Sequence, residues 1–472
     1  MKQVPIKQFF SERSSVWQPS AIRGLFPLEQ RPNMISFLAG KPNPSTFPFE
    51  SITLKIKPGV EGHDESSATN GASSSMPHEI SITGDRLAEA LQYGATAGLP
   101  GLVKWLEAFQ GKVHNRNQEA ENWRISLGIG SQDLLSKAFQ LLVDDGDAVL
   151  MESPAYSYAE GYSRLIASYR DLYRSANARG TLGAVSPNHA DLVEVNADEQ
   201  GLSPEHLRQV LESWEQNRPN QKRPKVLYTI PMGSNPTGAS IPESRKIEIL
   251  QLAKEHNLLI MEDDAYAFLY FGDPSKKARS YFELEPEVNQ EVGRVIRFDS
   301  FSKILSSGMR LGFATAPREF LDRLDLITAN TNLQCPSTTQ MMVLGLLEYW
   351  GTDGFMQHCS NVAEFYRKKR DMFEAAAKKH LDGVADWVTP VAGMFLYINM
   401  HLTTDGSAGD SFAVIREKAV EKGVLAVPGT SFMPSGSKSS CVRVSYSLAT
   451  PEQADEGFRR LREVIDEVRA GK

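Results

Sequence analysis

Cysteine is scarce in this 472-residue chain: Cys335, Cys359 and Cys441 are all there are, and they lie far apart. That leaves no disulfide framework and no metal knuckle, and fits a reducing compartment. The nine histidines show neither H-x-x-x-H nor H-E-x-x-H spacing, so no metal site is expected. No apolar run approaches the roughly 18 residues of a membrane span. Long basic runs are missing too, and 51 Lys and Arg against 58 Asp and Glu give a net charge of −7, so a nucleic-acid partner has no electrostatic support. The first residues lack the apolar core of a signal peptide, and Lys2, Lys7, Arg13 and Arg23 are offset by Glu12, so a cytoplasmic location is expected. Internal repeats are absent. What is present is ordinary: 41% hydrophobic and 23% charged residues, the composition of a soluble globular protein long enough for two domains.

Taken in order, residues 1–50 read as an arm that packs on the body, with a turn-rich loop at 37–44. Residues 58–83, rich in Gly and Ser, read as a flexible loop. Helical patterns follow from Asp85 and from Leu102 to Val113. Apolar runs at 124–127, 147–151, 192–195, 226–230, 258–261, 294–298 and 310–315 then alternate with helical stretches such as 134–142, 204–214 and 242–256. Such alternation predicts an α/β fold: a mostly parallel sheet of the seven-stranded type with helices on both faces. Long helices are expected over 335–380. Strands at 394–398 and 442–446, with helices at 410–422 and 452–469, predict a smaller α+β domain over 350–472, beside a large domain over 85–345.

The stretch Asp299-Ser300-Phe301-Ser302-Lys303 follows one of those strands, with Arg310 seven positions after the lysine. Alone, it is most simply a surface lysine in a polar loop. Yet a lysine among small hydroxyls can form a Schiff base with an aldehyde, while serines and an arginine hold a phosphate beside it. Gly128-Ile129-Gly130-Ser131 runs into a helix, which makes an anion site or merely an ordinary N-cap. The third glycine of the dinucleotide fingerprint is missing, so an NAD site is disfavoured. Ser131, Tyr156, Asn235, Asp263 and Lys303 all fall at predicted strand ends, where open α/β sheets bind ligands.

Together these stretches resemble the fold-type-I pyridoxal phosphate aminotransferases of class I/II. Within them the chain is most similar to the kynurenine/2-aminoadipate branch, which includes fungal aromatic amino acid aminotransferases. The matching residues are Ser300-Phe301-Ser302-Lys303, Asn235-Pro236-Thr237-Gly238, Glu262 to Tyr266, Gly393 to Leu396, Leu38 to Pro44 and Leu91-Gln92-Tyr93. The resemblance implies that Lys303 is the Schiff-base lysine and then the general base. It implies that Asp263 pairs with the pyridinium nitrogen, and that Asn235 and Tyr266 hydrogen-bond the ring oxygen. Ser131, Gln132, Ser300, Ser302 and Arg310 would cradle the phosphate, and Tyr156 would stack on the ring. Arg443 would clamp the substrate carboxylate, although an arginine in an edge strand is more often a surface ion pair. Arg23, Gly40 and Asn235 would also lie at the substrate, and Tyr93 would reach the partner's site in a homodimer.

The chain departs from the family pattern at Ala265, Ala267 and Lys41. A larger departure is the segment Tyr158 to Arg179, which separates Ser157 from the Gly180-Thr181-Leu182 that would follow it directly. Its ends can be encoded with intron donor and acceptor sequences, so a translated intron and a natural surface insertion both stand. The expected activity is transamination of an aromatic amino acid, kynurenine or 2-aminoadipate with a 2-oxo acid such as 2-oxoglutarate, by a ping-pong reaction. One alternative is a carbon–sulfur lyase on the same scaffold, which would release ammonia and a thiol without an amino acceptor. Another is a non-enzymatic regulator, which would need a DNA-binding domain ahead of residue 85. A pseudoenzyme is disfavoured by the presence of Lys303, Asp263 and Arg310 together.

Overall fold

The computed structural model describes residues 1–18, 28, 31–35, 37–38, 40–57, 79–156, 190–403 and 409–471. Arg23, residues 58–78 of the expected loop and the 158–179 insertion lie outside them. The strands that carry the fold are β1 (Trp123–Gly128), β2 (Ala148–Ser153), β3 (Asp191–Asp198), β4 (Gly201–Leu202), β5 (Val226–Thr229), β6 (Leu259–Asp263), β7 (Val295–Ser300), β8 (Gly312–Pro317), β9 (Ala385–Trp387), β10 (Phe395–Met400), β11 (Val427–Pro428) and β12 (Cys441–Ser445). The main helices are α1 (Gly84–Leu91), α2 (Pro100–Val113), α3 (Ser131–Leu142), α4 (Pro204–Glu212), α5 (Glu243–Glu255), α6 (Tyr281–Asn289), α7 (Arg318–Thr331), α8 (Ser337–Leu381) and α9 (Pro451–Arg469). Each expected strand is found, with its ends shifted by no more than three residues. Glu79–Ile82, at the end of the expected loop, is instead a strand paired with Ile52–Lys55. The helix expected over 410–422 is a single α turn, Ser411–Val414, running into a π turn at Ile415–Ala419. Among the described residues no helix is long and apolar enough to cross a membrane.

Two compact units divide the chain. One comprises Met1–Val4, Leu142–Phe298 and Val362–Lys472; the other comprises Pro5–Leu141 and Asp299–Asn361. In the first unit β7, β6, β5, β2 and β3 pair parallel in that order, and β4 closes the edge antiparallel to β3. Strands β2, β5 and β6 are buried along their whole length. This explains their unbroken apolar runs: a strand covered on both faces has no solvent side to mark with polar residues. A second sheet in the same unit is antiparallel, in the order β9-β10-β12-β11. Its core includes Leu396, Ile398 and Val442 with Phe458, Leu461 and Ile465 of α9. A Thr450–Gln453 capping box starts that helix.

The period of two along β6 splits its acidic end. Glu262 and Asp264 point one way, where the fully buried Arg297 of β7 lies 3.3 and 2.7 Å from them. Glu262 also accepts from the backbone N–H groups of Tyr281 and Phe282, at the positive end of α6. Asp263 points to the opposite side. A buried cation held by two carboxylates is costly to break from one side, because the partners stay charged in an apolar interior. Arg297→Met is therefore expected to lower unfolding stability by about 3–5 kcal/mol, read as a shift of the denaturant midpoint. A loss below about 1 kcal/mol would show that the carboxylates protonate or hydrate at little cost.

In the second unit β8 pairs antiparallel with β1 over their full lengths. The rings of Trp105, Phe109, Phe301, Phe313 and Phe355 form a continuous aromatic cluster, with centroids 5.2 to 6.4 Å apart along its chain of contacts. Edge-to-face and offset packing of this kind fixes ring orientation as well as burying area. The long helices expected over 335–380 are found as the two segments of α8, which meet at Gly351, whose φ of 63° lies in the left-handed region.

Candidate active site

The residues singled out in the sequence fall into two groups, one in each unit. The group of the second unit is built around Lys303. Strand β7 ends at Ser300, and a 3-10 turn, Phe301–Lys303, follows. Ser300 starts that turn by accepting from the Ser302 N–H at 3.2 Å. Phe301 is 1% exposed and belongs to the aromatic cluster, so it anchors the turn that carries the lysine. Two further bonds hold the neighbouring backbone and side chain. Gln110 donates to Asp299 at 3.0 Å, and His358 Nε2 donates to the Ile304 carbonyl at 2.7 Å. Lys303 itself is half-buried.

Arg310 does not begin a strand, as the sequence pattern predicts. It sits before β8 in the left-handed conformation, with φ 48°, and that kink turns its guanidinium toward the start of α3. Its Nη1 lies 3.4 Å from Ser302 Oγ and its Nη2 3.4 Å from the Ile129 carbonyl. Two glycines make the room. A Cβ on Gly130 would lie 2.8 Å from Arg310 Nη2, and one on Gly312 would lie 2.8 Å from the Ser131 backbone nitrogen. Gly130, Ser131, Ser302 and Arg310 are thereby drawn together at a helix N-terminus, which favours an anion through its free N–H groups and its dipole. A phosphate fits this arrangement. Gln132 is half-buried at the same helix start, while Tyr93 is 58% exposed and Gly40 is open to solvent.

The group of the first unit is built around Asp263, which is 4% exposed at the end of β6. Tyr228, on the neighbouring β5, donates to its Oδ2 at 2.8 Å. Burial and the Asp263 charge together push the Tyr228 phenol well above its ordinary range, so it remains a donor. A buried carboxylate held this way suits a cationic ring nitrogen. Tyr266, three residues on, is 5% exposed, and its phenol is also raised, first by burial and then by Tyr156 and Asp263. Tyr156 is half-buried just beyond β2.

Asn235 follows β5 in the turn Pro231–Gly238 and is buried. Its Oδ1 accepts from Arg443 Nη1 at 2.8 Å. Arg443 corrects an expectation: its strand is not at the edge of its sheet, since β12 lies between β10 and β11. Its guanidinium lies 4.4 Å from the centre of the Phe395 ring and 5.0 Å from that of Phe432. Two aromatic faces and one amide orient the planar fork, a geometry matched to a carboxylate.

Two participants escape a reading of the sequence. Tyr228 lies inside an apolar run, with nothing to set it apart from a core aromatic. Glu152 carries a weak signal: it is the single acidic residue in the apolar run of β2, and there it is 1% exposed.

A family model described as aminotransferase class I and II matches residues 86–461. Aminotransferase tdiD of Emericella nidulans is 44% identical over 457 residues, covering 97% of this chain and 95% of that protein. The mitochondrial kynurenine/alpha-aminoadipate aminotransferase of Mus musculus is 37% identical over 471 residues, 98% of this chain and 99% of that one. Among solved structures, aminotransferase Aro8 of Candida albicans has the same fold, with a TM-score of 0.81 at 24% identity and full coverage of both chains. The buried carboxylate, the glycine-lined anion cradle and the anchored lysine thus occur in a chain that belongs to the class I and II aminotransferases, pyridoxal phosphate enzymes of fold type I.

Proposed function

We propose that this enzyme moves the amino group of an aromatic amino acid, kynurenine or 2-aminoadipate to a 2-oxo acid such as 2-oxoglutarate, in a ping-pong reaction. The observation that carries the substrate class is the near full-length similarity to an enzyme named for kynurenine and alpha-aminoadipate. The geometry of Arg443 supports recognition of an amino acid carboxylate, because Asn235 and two rings set the plane of its fork.

Pyridoxal phosphate supplies an electron sink for the carbanion formed at the substrate α-carbon. The remaining chemistry falls to side chains of this chain. Lys303 carries the cofactor covalently and then shuttles the proton at the α-carbon. Asp263, with Tyr228 donating to it, keeps the ring nitrogen protonated. Asn235 and Tyr266 donate to the ring oxygen, and Tyr156 covers the ring face. Ser131, Gln132, Ser300, Ser302 and Arg310 hold the phosphate. Arg443 takes the substrate carboxylate, and Arg23 and Gly40 belong to the arm beside it. We further propose a cytoplasmic homodimer in which Tyr93, exposed in the single chain, enters the partner's site. Its domains would be a large one over 85–345 and a small one over 350–472, with residues 1–50 as an arm.

A panel of amino donors offered with 2-oxoglutarate tests the substrate class. Tryptophan, phenylalanine, kynurenine or 2-aminoadipate is expected to exceed alanine by about 10²-fold or more in kcat/KM, the discrimination that a shaped side-chain pocket gives. A preference for alanine or aspartate would overturn it. Release of ammonia without consumption of the oxo acid would favour the lyase.

A further inference from the structure

The turn Pro231–Gly238 has to place Asn235 so that it meets Arg443, and its hydrogen bonds lead back to one residue outside the proposed machinery. Glu152 Oε1 accepts from the Ile230 N–H at 3.1 Å and from Ser234 Oγ at 3.0 Å. Its Oε2 accepts from Thr229 Oγ1 at 3.2 Å. The carboxylate therefore ties the strand end before the turn to the residue directly before Asn235. On its other side the turn is fixed by close backbone contact: a Cβ on Gly233 would lie 2.8 Å from the Ala392 carbonyl carbon, and one on Gly238 would lie 2.8 Å from the Phe395 carbonyl oxygen. Within the turn the Ser234 N–H donates to the Ala239 carbonyl at 2.8 Å and the Gly233 N–H to Ser240 Oγ at 3.0 Å, and Glu152 adds the tie from the turn to β2.

We infer that Glu152 is a positioning residue, whose buried carboxylate holds the turn so that Asn235 can orient Arg443 for the substrate carboxylate. The inference rests on the proposed role of Arg443. An apolar residue would pack in this space but would leave three donors to reorganise, at a cost paid in the register of the turn.

Protonation adds a second, independent mark. Burial pushes the Glu152 carboxyl up to about 7, opposed by the bonds from Ile230, Ser234 and Thr229, with the Asp263 charge adding to the rise. Among the described residues, the phenols of Tyr228 and Tyr281 also feel the Glu152 charge. When protonated, Glu152 can donate from Oε2 to Thr229 Oγ1 and keep its two bonds at Oε1. Glutamine mimics that neutral state and alanine removes it. Because the folded pKa lies above the ordinary 4.5, the stabilising effect of this group is full below about pH 4.5 and is lost as pH rises through about 7.

Two readouts test the inference on the full chain. In steady-state assays with cofactor, Glu152→Ala is expected to raise the amino-donor KM about tenfold with kcat changed less than threefold, the pattern of lost ground-state binding. Glu152→Gln should restore KM to within about threefold of wild type. In thermal unfolding of the cofactor-free chain, the melting temperature of Glu152→Gln minus that of wild type should rise by about 2–5 °C between pH 5 and pH 8. If the alanine variant does not fold, Thr229→Val and Ser234→Ala remove the donors singly, and each should raise KM about threefold. An unchanged KM in these variants, a glutamine variant as impaired as alanine, or a melting difference flat with pH would each overturn the inference. Arg443→Lys separates the two levels: an unchanged KM there would defeat the role of Arg443, while the melting arm would still judge the buried carboxylate.

Discussion

Lys303→Ala is expected to lower transamination by about 10³-fold or more while the chain stays folded. Both halves of that expectation come from the same turn. General base catalysis by a placed side chain contributes about 10²–10⁴-fold, and the proposed covalent attachment of the cofactor is lost as well. Stability should be spared, because the turn is anchored by Phe301 in the aromatic cluster and by the bonds to Asp299 and Ile304, none of which uses the lysine side chain. Circular dichroism and melting temperature check the fold, and turnover with 2-oxoglutarate checks the activity. Partial recovery on adding a small primary amine would identify the missing group as a base. A variant with a tenth of wild-type activity would place the chemistry on another residue.

Arg443→Ala carries the next largest effect. Truncating one partner of a desolvated charge pair costs about 2–5 kcal/mol, so kcat/KM for the amino donor should fall by about 10²–10³-fold. Most of the loss should appear in KM. Lysine should restore little, since a point charge cannot reproduce a fork set between two rings and an amide. An amine substrate without a carboxylate should be used equally poorly by wild type and variant. If the variant lost equally on that amine, Arg443 would be acting on the fold or the cofactor rather than on the carboxylate.

The strands of the parallel sheet were legible because their burial on both faces leaves plain apolar runs. Helices with strong caps were legible too, as with Thr450 and Gln453 at α9. Less visible was the pairing of Ile52–Lys55 with Glu79–Ile82, because a Gly- and Ser-rich stretch between short strands resembles a longer loop. At the site, Lys303, Asp263 and Asn235 stand at strand ends, where a polar residue after an apolar run marks a sheet edge. Arg310 was found, but its left-handed kink was not, since that conformation answers to Gly130 and Gly312, which are distant in sequence from one another. Tyr228 and Glu152 were hidden for a different reason. Their roles come from what they touch across the sheet, and a single strand's pattern holds no record of its neighbours.

The central claim is that this chain transfers an amino group in two separate halves. A single-turnover experiment tests it most directly. Cofactor-loaded enzyme, mixed with tryptophan or kynurenine and no acceptor, should yield one equivalent of the corresponding oxo acid per active site, with loss of the visible absorbance of the lysine-bound cofactor. Adding 2-oxoglutarate should restore that absorbance and release one equivalent of glutamate. Continued product formation without an acceptor, or free ammonia in place of glutamate, would contradict the account.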